Sequence, residues 1–303
     1  MIEIKNISLK FKEGKNETLA LNDVSFDIPE CCSYGFMGSN GAGKSTLMRI
    51  ISGVYKADSG TVLIDGEDVF DNPAAKSKIF FVNDETVQFT HYTLSELKEY
   101  YSVFYPTFSD EIFLAMNNVF KLPVNRRLDT FSKGMKRQAI VIIGLACNTK
   151  YIMFDEAFDG LDPSAKLYVR KAIAEHMSDT GATVIISSHS LAEINELCDC
   201  AMFLYGGKLL FARNLSDNYS GMCKIQAVKL GEEITREAVF AVSDAISSFN
   251  TVGSVTTFTF KGTPEKAREL FAPFKWEVFD IIPVNLEELF VNEMEMMRNE
   301  QNS

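Results

Sequence analysis

The sequence predicts an α/β fold in which a largely parallel sheet carries a phosphate-binding loop at its strand ends, with a helical insert and a small C-terminal α+β domain. Three segments predict it. Gly38-Ser39-Asn40-Gly41-Ala42-Gly43-Lys44-Ser45 fits G-x-x-x-x-G-K-[ST], a pattern whose glycines let successive backbone amides curl round phosphate oxygens with no Cβ in the way. The apolar run Tyr151-Ile152-Met153-Phe154 closes on Asp155-Glu156, the form of a central parallel strand delivering two carboxylates at its C-terminal end. Phe131-Ser132-Lys133-Gly134-Met135 lies between the two, where Ser132 at a helix start and the amides after it make an anion site.

The first 88 residues open on alternating strands. Ile2 and Ile4, then Val24, Phe26 and Ile28, recur with a period of two, and Asp65-Gly66 marks a hairpin. Ser33-Tyr34-Gly35-Phe36-Met37 reads as a short buried strand entering the loop. Leu47, Ile50, Ile51 and Val54 then recur at i, i+3, i+4 and i+7, so the loop opens a helix, with Gly53 at its C-terminal cap. The amides of that helix start, through Thr46, face the phosphates together with its dipole. Lys44 adds a mobile positive charge, and the Ser45 hydroxyl is a ligand for Mg²⁺.

Residues 89–150 turn helical. Thr93-Leu94-Ser95-Glu96 is a capping box, and Leu97, Tyr100, Tyr101 and Phe104 make one apolar face, so this stretch is expected to be a helical subdomain carrying Ser132. The main core resumes at Tyr151. Asp155 is expected to hold Mg²⁺ through water, and Glu156 to orient or polarise the attacking water as a general base. Thr183-Val184-Ile185-Ile186 forms a further strand, and the capping box Ser190-Leu191-Ala192-Glu193 starts a helix directly after it. His189 therefore falls on a strand-to-helix loop at the same sheet edge as the phosphate loop, a setting that His91 and His176 lack. The core ends near the hairpin Tyr205-Gly206-Gly207-Lys208, which puts the first domain at residues 1–215. Residues 216–303 read as an accessory α+β domain: a strand at 224–230, a helix at 233–247, a strand at Val255–Phe260 and a last helix bearing Leu286, Leu289, Phe290 and Met294. Nothing in that domain points to a ligand.

The order of these segments, with the turn Gly160-Leu161-Asp162-Pro163 and the strand end Ser187-Ser188-His189, resembles the nucleotide-binding subunits of ABC transporters across residues 1–215. The resemblance implies a P-loop NTPase core of the ABC ATPase type, hydrolysing ATP with Mg²⁺ between two copies of the subunit. Residues 131–135 match the family signature in its Ser-Lys-Gly-Met form, implying that Ser132 and Gly134 read the γ-phosphate of ATP bound to the opposite subunit. Asp162 then belongs to the turn coupling the two sites. His189 corresponds to the switch histidine, which touches the γ-phosphate and helps hold water and Glu156. Phe11 takes the place of the aromatic that stacks on adenine, although it also alternates with Ile7 and Leu9 as a core residue would. Ile79-Phe80-Phe81-Val82-Asn83-Asp84-Glu85 resembles the strand and loop that normally end in a Mg²⁺-touching Gln; here the position reads Asp84, with Gln88 as the alternative.

The signature form and the Asp-for-Gln change look most like bacterial ABC-2-like exporters whose membrane subunit is a separate chain. The partners this implies are an integral membrane permease and a second ATPase subunit, in a homo- or heterodimer, with the protein cytoplasmic and peripheral on the inner face of the cell membrane. The alternative is a soluble ABC-type ATPase that remodels a non-membrane partner.

Composition bounds these readings. At 303 residues and 46% hydrophobic content there is material for a nucleotide-binding domain and a smaller one. A net charge of -11 argues against a nucleic-acid or anionic-lipid surface, so no nucleic-acid partner is expected. The longest apolar stretch, residues 139–147, is far short of the ~18 residues that span a bilayer, and no signal peptide is expected. The six cysteines show no C-x-x-C metal pairing, and Cys31-Cys32 and Cys198/Cys200 read as buried thiols of a reducing compartment.

Overall fold

A computed structural model describes residues 1–14, 16–82, 89, 91–158, 161–215, 222–229, 231, 234–282, 284 and 288–289. The chain divides into two units, Met1–Asn214 and Leu215–Ser303.

The first unit begins with β1 (Ile2–Glu13), β2 (Asn16–Ile28), β3 (Ser33–Met37), α1 (Lys44–Ile51), β4 (Ser59–Ile64) and β5 (Glu67–Asp68). β2, β1, β4 and β5 pair in that order into an antiparallel sheet whose alternating residues Ile2, Ile4, Val24 and Ile28 are buried. Asp65 and Gly66, at φ 53° and 83°, close the β4–β5 hairpin. Asp65 accepts hydrogen bonds from Lys150 Nζ (2.8 Å), the Tyr151 hydroxyl (2.6 Å) and Lys78 Nζ (3.1 Å), tying this turn to the start of a central strand.

Next come α2 (Pro73–Lys76), β6 (Ile79–Val82), α3 (Leu94–Phe104), α4 (Asp110–Phe120), α5 (Lys133–Ala146), β7 (Tyr151–Asp155), α6 (Pro163–Thr180), β8 (Thr183–Ser188), α7 (Leu191–Leu197), β9 (Cys200–Tyr205) and β10 (Lys208–Asn214). A second sheet has the order β10-β9-β3-β8-β7-β6, parallel throughout except for the β9–β10 hairpin. The strands β3, β7 and β8 are buried at every residue, which is why their centres read as apolar runs, with the buried polar residues Ser33, Asp155, Thr183, Ser187 and Ser188 at their ends. Their C-terminal ends are in register: Met37 lies beside Ser188, and Asp155 beside Ser187. The loops after β3, β7 and β8 therefore leave one edge of the sheet.

The helix boundaries follow from their caps. Thr93 Oγ1 accepts from Glu96 N at 3.1 Å, and the Glu96 carboxylate accepts from Thr93 N at 2.7 Å, a complete capping box. The α1 helix stops at Ile51, where Gly53 N donates to Ile50 O and Val54 N to Arg49 O in a Schellman end. Val54 thus lies past the helix and is exposed, against its expected place on the apolar face. The box expected at Ser190 forms by half. Ser190 Oγ accepts from Glu193 N at 3.3 Å, but the Glu193 carboxylate turns to Lys166 Nζ and the Ser188 hydroxyl (2.7 Å), leaving Ser190 N to donate to Ser188 Oγ. Cys31 is exposed, unlike the other five cysteines.

The second unit holds β11 (Cys223–Val228), α8 (Arg236–Phe240), β12 (Ile246–Val252), β13 (Val255–Phe260), α9 (Pro264–Phe271) and β14 (Val278–Ile282). Its antiparallel sheet has the order β12-β13-β11-β14, over a core of Ile225, Phe258, Phe260 and Phe271. The helix expected at 233–247 ends at Phe240, because Ser243 Oγ accepts from Ala245 N in a local turn and Ile246–Val252 pairs with β13. Of the last expected helix only Glu288 and Leu289 are described as helical; Leu286, Phe290 and Met294 lie outside the described residues. No helix among the described residues is long and apolar enough to cross a membrane.

Candidate functional site

The loop after β3 needs glycine at defined points. At Gly38 (φ 150°) a Cβ would fall on the carbonyl of Leu204, and at Gly43 (φ 107°) it would sit 2.7 Å from the carbonyl of Ala20. With those constraints met, the loop curls round its own lysine. Lys44 is 4% exposed, donates to Gly38 O (2.8 Å) and Ser39 O (3.3 Å), and lies 3.6 Å from Glu156 Oε1. Leu47 N donates to Gly43 O as the first turn of α1 closes, so the amides of Lys44, Ser45 and Thr46 precede any intrahelical acceptor. Such a helix start is suited to an anion.

A cleft of about 420 Å³ opens above this loop. Asn40, Gly41, Gly43, Lys44, Ser45 and Thr46 form its floor, with Glu156 on one side and Phe11 on another. Gly38, Ser39 and Ala42 belong to the loop but do not line the cleft. Phe11 is 39% exposed and edge-on to Tyr55, with ring centroids 5.8 Å apart. It is an aromatic wall of the cleft, not a core residue.

The two carboxylates at the end of β7 are held differently. Asp155 is 4% exposed and its Oδ1 accepts from the Ser187 hydroxyl at 2.6 Å. Glu156 has a left-handed backbone, φ 50°. Its N–H donates to Ser187 Oγ at 2.9 Å, and its carbonyl accepts from Arg137 Nη1 at 2.5 Å. Neither Ser187 nor Arg137 was legible as a site residue. Arg137 carried one faint signal, a charge at the head of a buried helical run.

The other candidates stand outside the cleft. His189 is exposed on the loop between β8 and α7. Ser132 caps α5, accepting from Met135 N at 3.2 Å, with Gly134 in the first turn after it. Asp162 caps α6, accepting from Ala165 N at 2.9 Å. None of these lines the cleft of its own chain. Asp84, Gln88, Asp159 and Gly160 lie outside the described residues. His176 is buried on α6, where desolvation pushes its pKa down.

The donor set fits a nucleotide with a divalent cation: a glycine cradle, a buried ammonium, a hydroxyl at the helix start and the Glu156 carboxylate line the cleft, and the buried carboxylate of Asp155, which does not line it, precedes Glu156 by one residue; all are oxygen or nitrogen groups suited to phosphate and Mg²⁺. Comparison with known proteins points the same way. The ABC transporter family model matches residues 21–159. The ABC transporter ATP-binding protein YtrB of Bacillus subtilis is 26% identical over 292 residues, covering 96% of this chain and 97% of the relative. The lantibiotic transport ATP-binding protein SrtF of Streptococcus pyogenes is 30% identical over 224 residues, covering 70% of this chain and 90% of the relative. Among solved structures, the ATP-binding subunit of an ABC transporter superposes with a TM-score of 0.64 at 25% identity, covering 72% of this chain and 91% of that one. The chain belongs to the ABC transporter family as an ATP-binding subunit, an ATPase with the P-loop α/β core of that family.

Proposed function

We propose that the chain is the motor subunit of an ABC export or efflux system, hydrolysing ATP to drive a separate membrane permease by ATP-dependent dimerisation. The observation that carries the catalytic part is the meeting of Lys44 and Glu156, 3.6 Å apart, in a cleft floored by the glycine loop. In this reading Lys44 and the loop amides hold the β- and γ-phosphates, Phe11 stacks on the adenine, and Glu156 orients the attacking water. Ser45 and Asp155 would hold Mg²⁺, with Asp84 or Gln88 beside them, and the cation would neutralise charge on the phosphate oxygens. His189 reaches the γ-phosphate from the neighbouring strand end. Ser132, exposed at the start of α5, and Gly134, half-buried in its first turn, do not line their own cleft and fit a role in the site of a second copy, with Asp162 coupling the two.

Residues 1–215 act as the ATPase domain, with the helical subdomain at about 89–150, and residues 216–303 as an accessory domain. The similarity to YtrB extends over 96% of the chain and so includes that second part. The Ser-Lys-Gly-Met signature supports export. The family supports placement at the inner face of the cell membrane through the permease.

Gel filtration of Glu156→Gln with and without ATP tests the dimer. An ATP-dependent dimer that Lys44→Ala cannot form is expected. A Glu156→Gln chain that stays monomeric at saturating ATP would count against ATP-driven dimerisation. Co-purification with a permease, against capture of a ribosome or DNA-repair complex, separates transport from the remodelling alternative.

A further inference from the structure

We propose that Arg137 and Ser187 are positioning residues that clamp the backbone of Glu156 from both sides and so aim its carboxylate into the cleft. The proposal rests on the reading of Glu156 as the group that orients the attacking water.

Glu156 occupies the left-handed region at φ 50°. That region is unfavourable for a residue with a Cβ, and glutamate lacks the short polar side chain with which Asn or Asp eases it by local hydrogen bonding. Something outside the residue must hold it there. Two groups do so, one on each neighbouring peptide. The N–H donates to Ser187 Oγ at 2.9 Å, and the carbonyl accepts from Arg137 Nη1 at 2.5 Å. Both holders are buried, Ser187 at 1% and Arg137 at 6% exposure, so water does not compete well for either bond.

The direction of each bond is fixed. A hydroxyl has one proton, and that of Ser187 is committed to Asp155 Oδ1 at 2.6 Å, which turns its lone pairs toward the Glu156 N–H. A guanidinium stays charged at every relevant pH and only donates. Ser187 therefore serves both carboxylates of the pair. Arg137 lies on α5, the helix that Ser132 caps, so the clamp anchors Glu156 to a different element from the sheet that carries it. If either bond is lost, the peptide can relax to the ordinary right-handed or extended region, and the carboxylate swings off its line to the γ-phosphate. Nucleotide contacts, made chiefly by the loop after β3, would be spared. That asymmetry gives the test.

The experiment measures kcat and KM for ATP, binding of trinitrophenyl-ATP and thermal melting in Arg137→Gln, Arg137→Lys and Ser187→Ala, and repeats Arg137→Gln in a Glu156→Gln background. Arg137→Gln should lower kcat by about ten-fold or more with KM and analogue affinity within about three-fold, and Arg137→Lys should recover part of the loss. Added to Glu156→Gln, Arg137→Gln should cause no further loss of single-turnover rate, because it acts through a carboxylate already gone. Ser187→Ala should also lower kcat, which keeps the test open should Arg137→Gln fail to fold. Wild-type kcat in Arg137→Gln, or a full further loss in the double variant, overturns the clamp. If Glu156→Gln itself turns over at the wild-type rate, the fault lies with the reading of Glu156.

Discussion

Replacing Glu156 by glutamine should push binding and turnover in opposite directions. Glutamine keeps the shape but carries no charge and cannot take a proton. Lys44 Nζ now sits 3.6 Å from Glu156 Oε1, with side-chain exposures of 4% and 31%. Unit charges at that spacing attract by about 5 kcal/mol at an effective dielectric of 20 and by about 1 kcal/mol in bulk water. Glu156 is nearly a third exposed, so the lower figure is nearer the net interaction that an arriving phosphate must replace. Removing it should tighten ATP binding by about five-fold, since ~1.4 kcal/mol is a factor of ten. Loss of the base should meanwhile cut hydrolysis by ~10²-fold or more. Equilibrium titration with a fluorescent ATP analogue and a phosphate-release assay read the two effects separately. Lys44→Ala is the control, because losing a phosphate-binding charge should weaken binding and turnover together. Near-wild-type hydrolysis by Glu156→Gln, or ATP affinity lowered as in Lys44→Ala, would refute the reasoning.

Three further outcomes follow from the same geometry. Gly43→Ala places a methyl 2.7 Å from the Ala20 carbonyl and 2.9 Å from Leu21 Cδ2 at φ 107°, strain on the order of 1–3 kcal/mol. Calorimetric titration should show ATP affinity down by about ten-fold or more, and unchanged affinity would mean that the loop yields freely. At Asp65, burial raises the carboxyl, but hydrogen bonds from Lys150, Tyr151, the amino terminus and Lys78 outweigh it and hold the group well below the usual carboxylate range. A depressed carboxyl contributes stability above its unfolded pKa of about 3.9 and loses it as pH falls further, so the melting temperature should drop below about pH 4 and Asp65→Asn should flatten that drop. An identical pH profile in Asp65→Asn would remove Asp65 from the account. Finally, Ser132→Arg and Lys44→Ala should each be nearly inactive alone. If Ser132 serves the site of the opposite copy, a mixed dimer gathers both lesions into one site and leaves the other whole, so mixing should restore measurable ATPase; no recovery in a dimer confirmed by cross-linking would count against a shared site.

Much of the first unit was legible because its physics is local. β3, β7 and β8 are buried on both faces, and a strand of that kind is mostly apolar, so Tyr34, Phe36 and Met37, and then Tyr151, Ile152, Met153 and Phe154, show as short apolar stretches. The Thr93 box and the hairpins at Asp65-Gly66 and Gly206-Gly207 are short-range devices, with positive φ where glycine stands. Tertiary competition hid the rest. Glu193 stands three residues after Ser190 as a capping box requires, but Lys166 and Ser188 offer its carboxylate stronger partners. In the second unit, the helical pattern of the sequence continues to residue 247 across Ser243, but the Ser243 hydroxyl stabilises a turn instead, and Ile246–Val252 becomes an edge strand by pairing with β13. Ile246, at the start of that strand, pairs with Phe260 fourteen positions on, and such a partner leaves no mark in the local period.

The strand ends of the parallel sheet show why a site is harder to read than the fold that carries it. Gly38, Gly41, Gly43 and Glu156 all have positive φ there, and all lie on the loops after β3 and β7. For the first three the strain is absorbed by leaving out the side chain, and the absent side chains are themselves the sequence signal. Glu156 cannot take that route if its carboxylate is needed. The same backbone requirement must then be met from outside, by Ser187 31 positions later in the chain and Arg137 19 positions earlier. Local rules fail at such a position because function fixes the residue type and folding must supply the compensation elsewhere. A non-glycine residue at positive φ beside a phosphate cradle therefore needs such compensation, and the bonds on either side of Glu156 are where variation at a distance should be felt as lost turnover with retained binding.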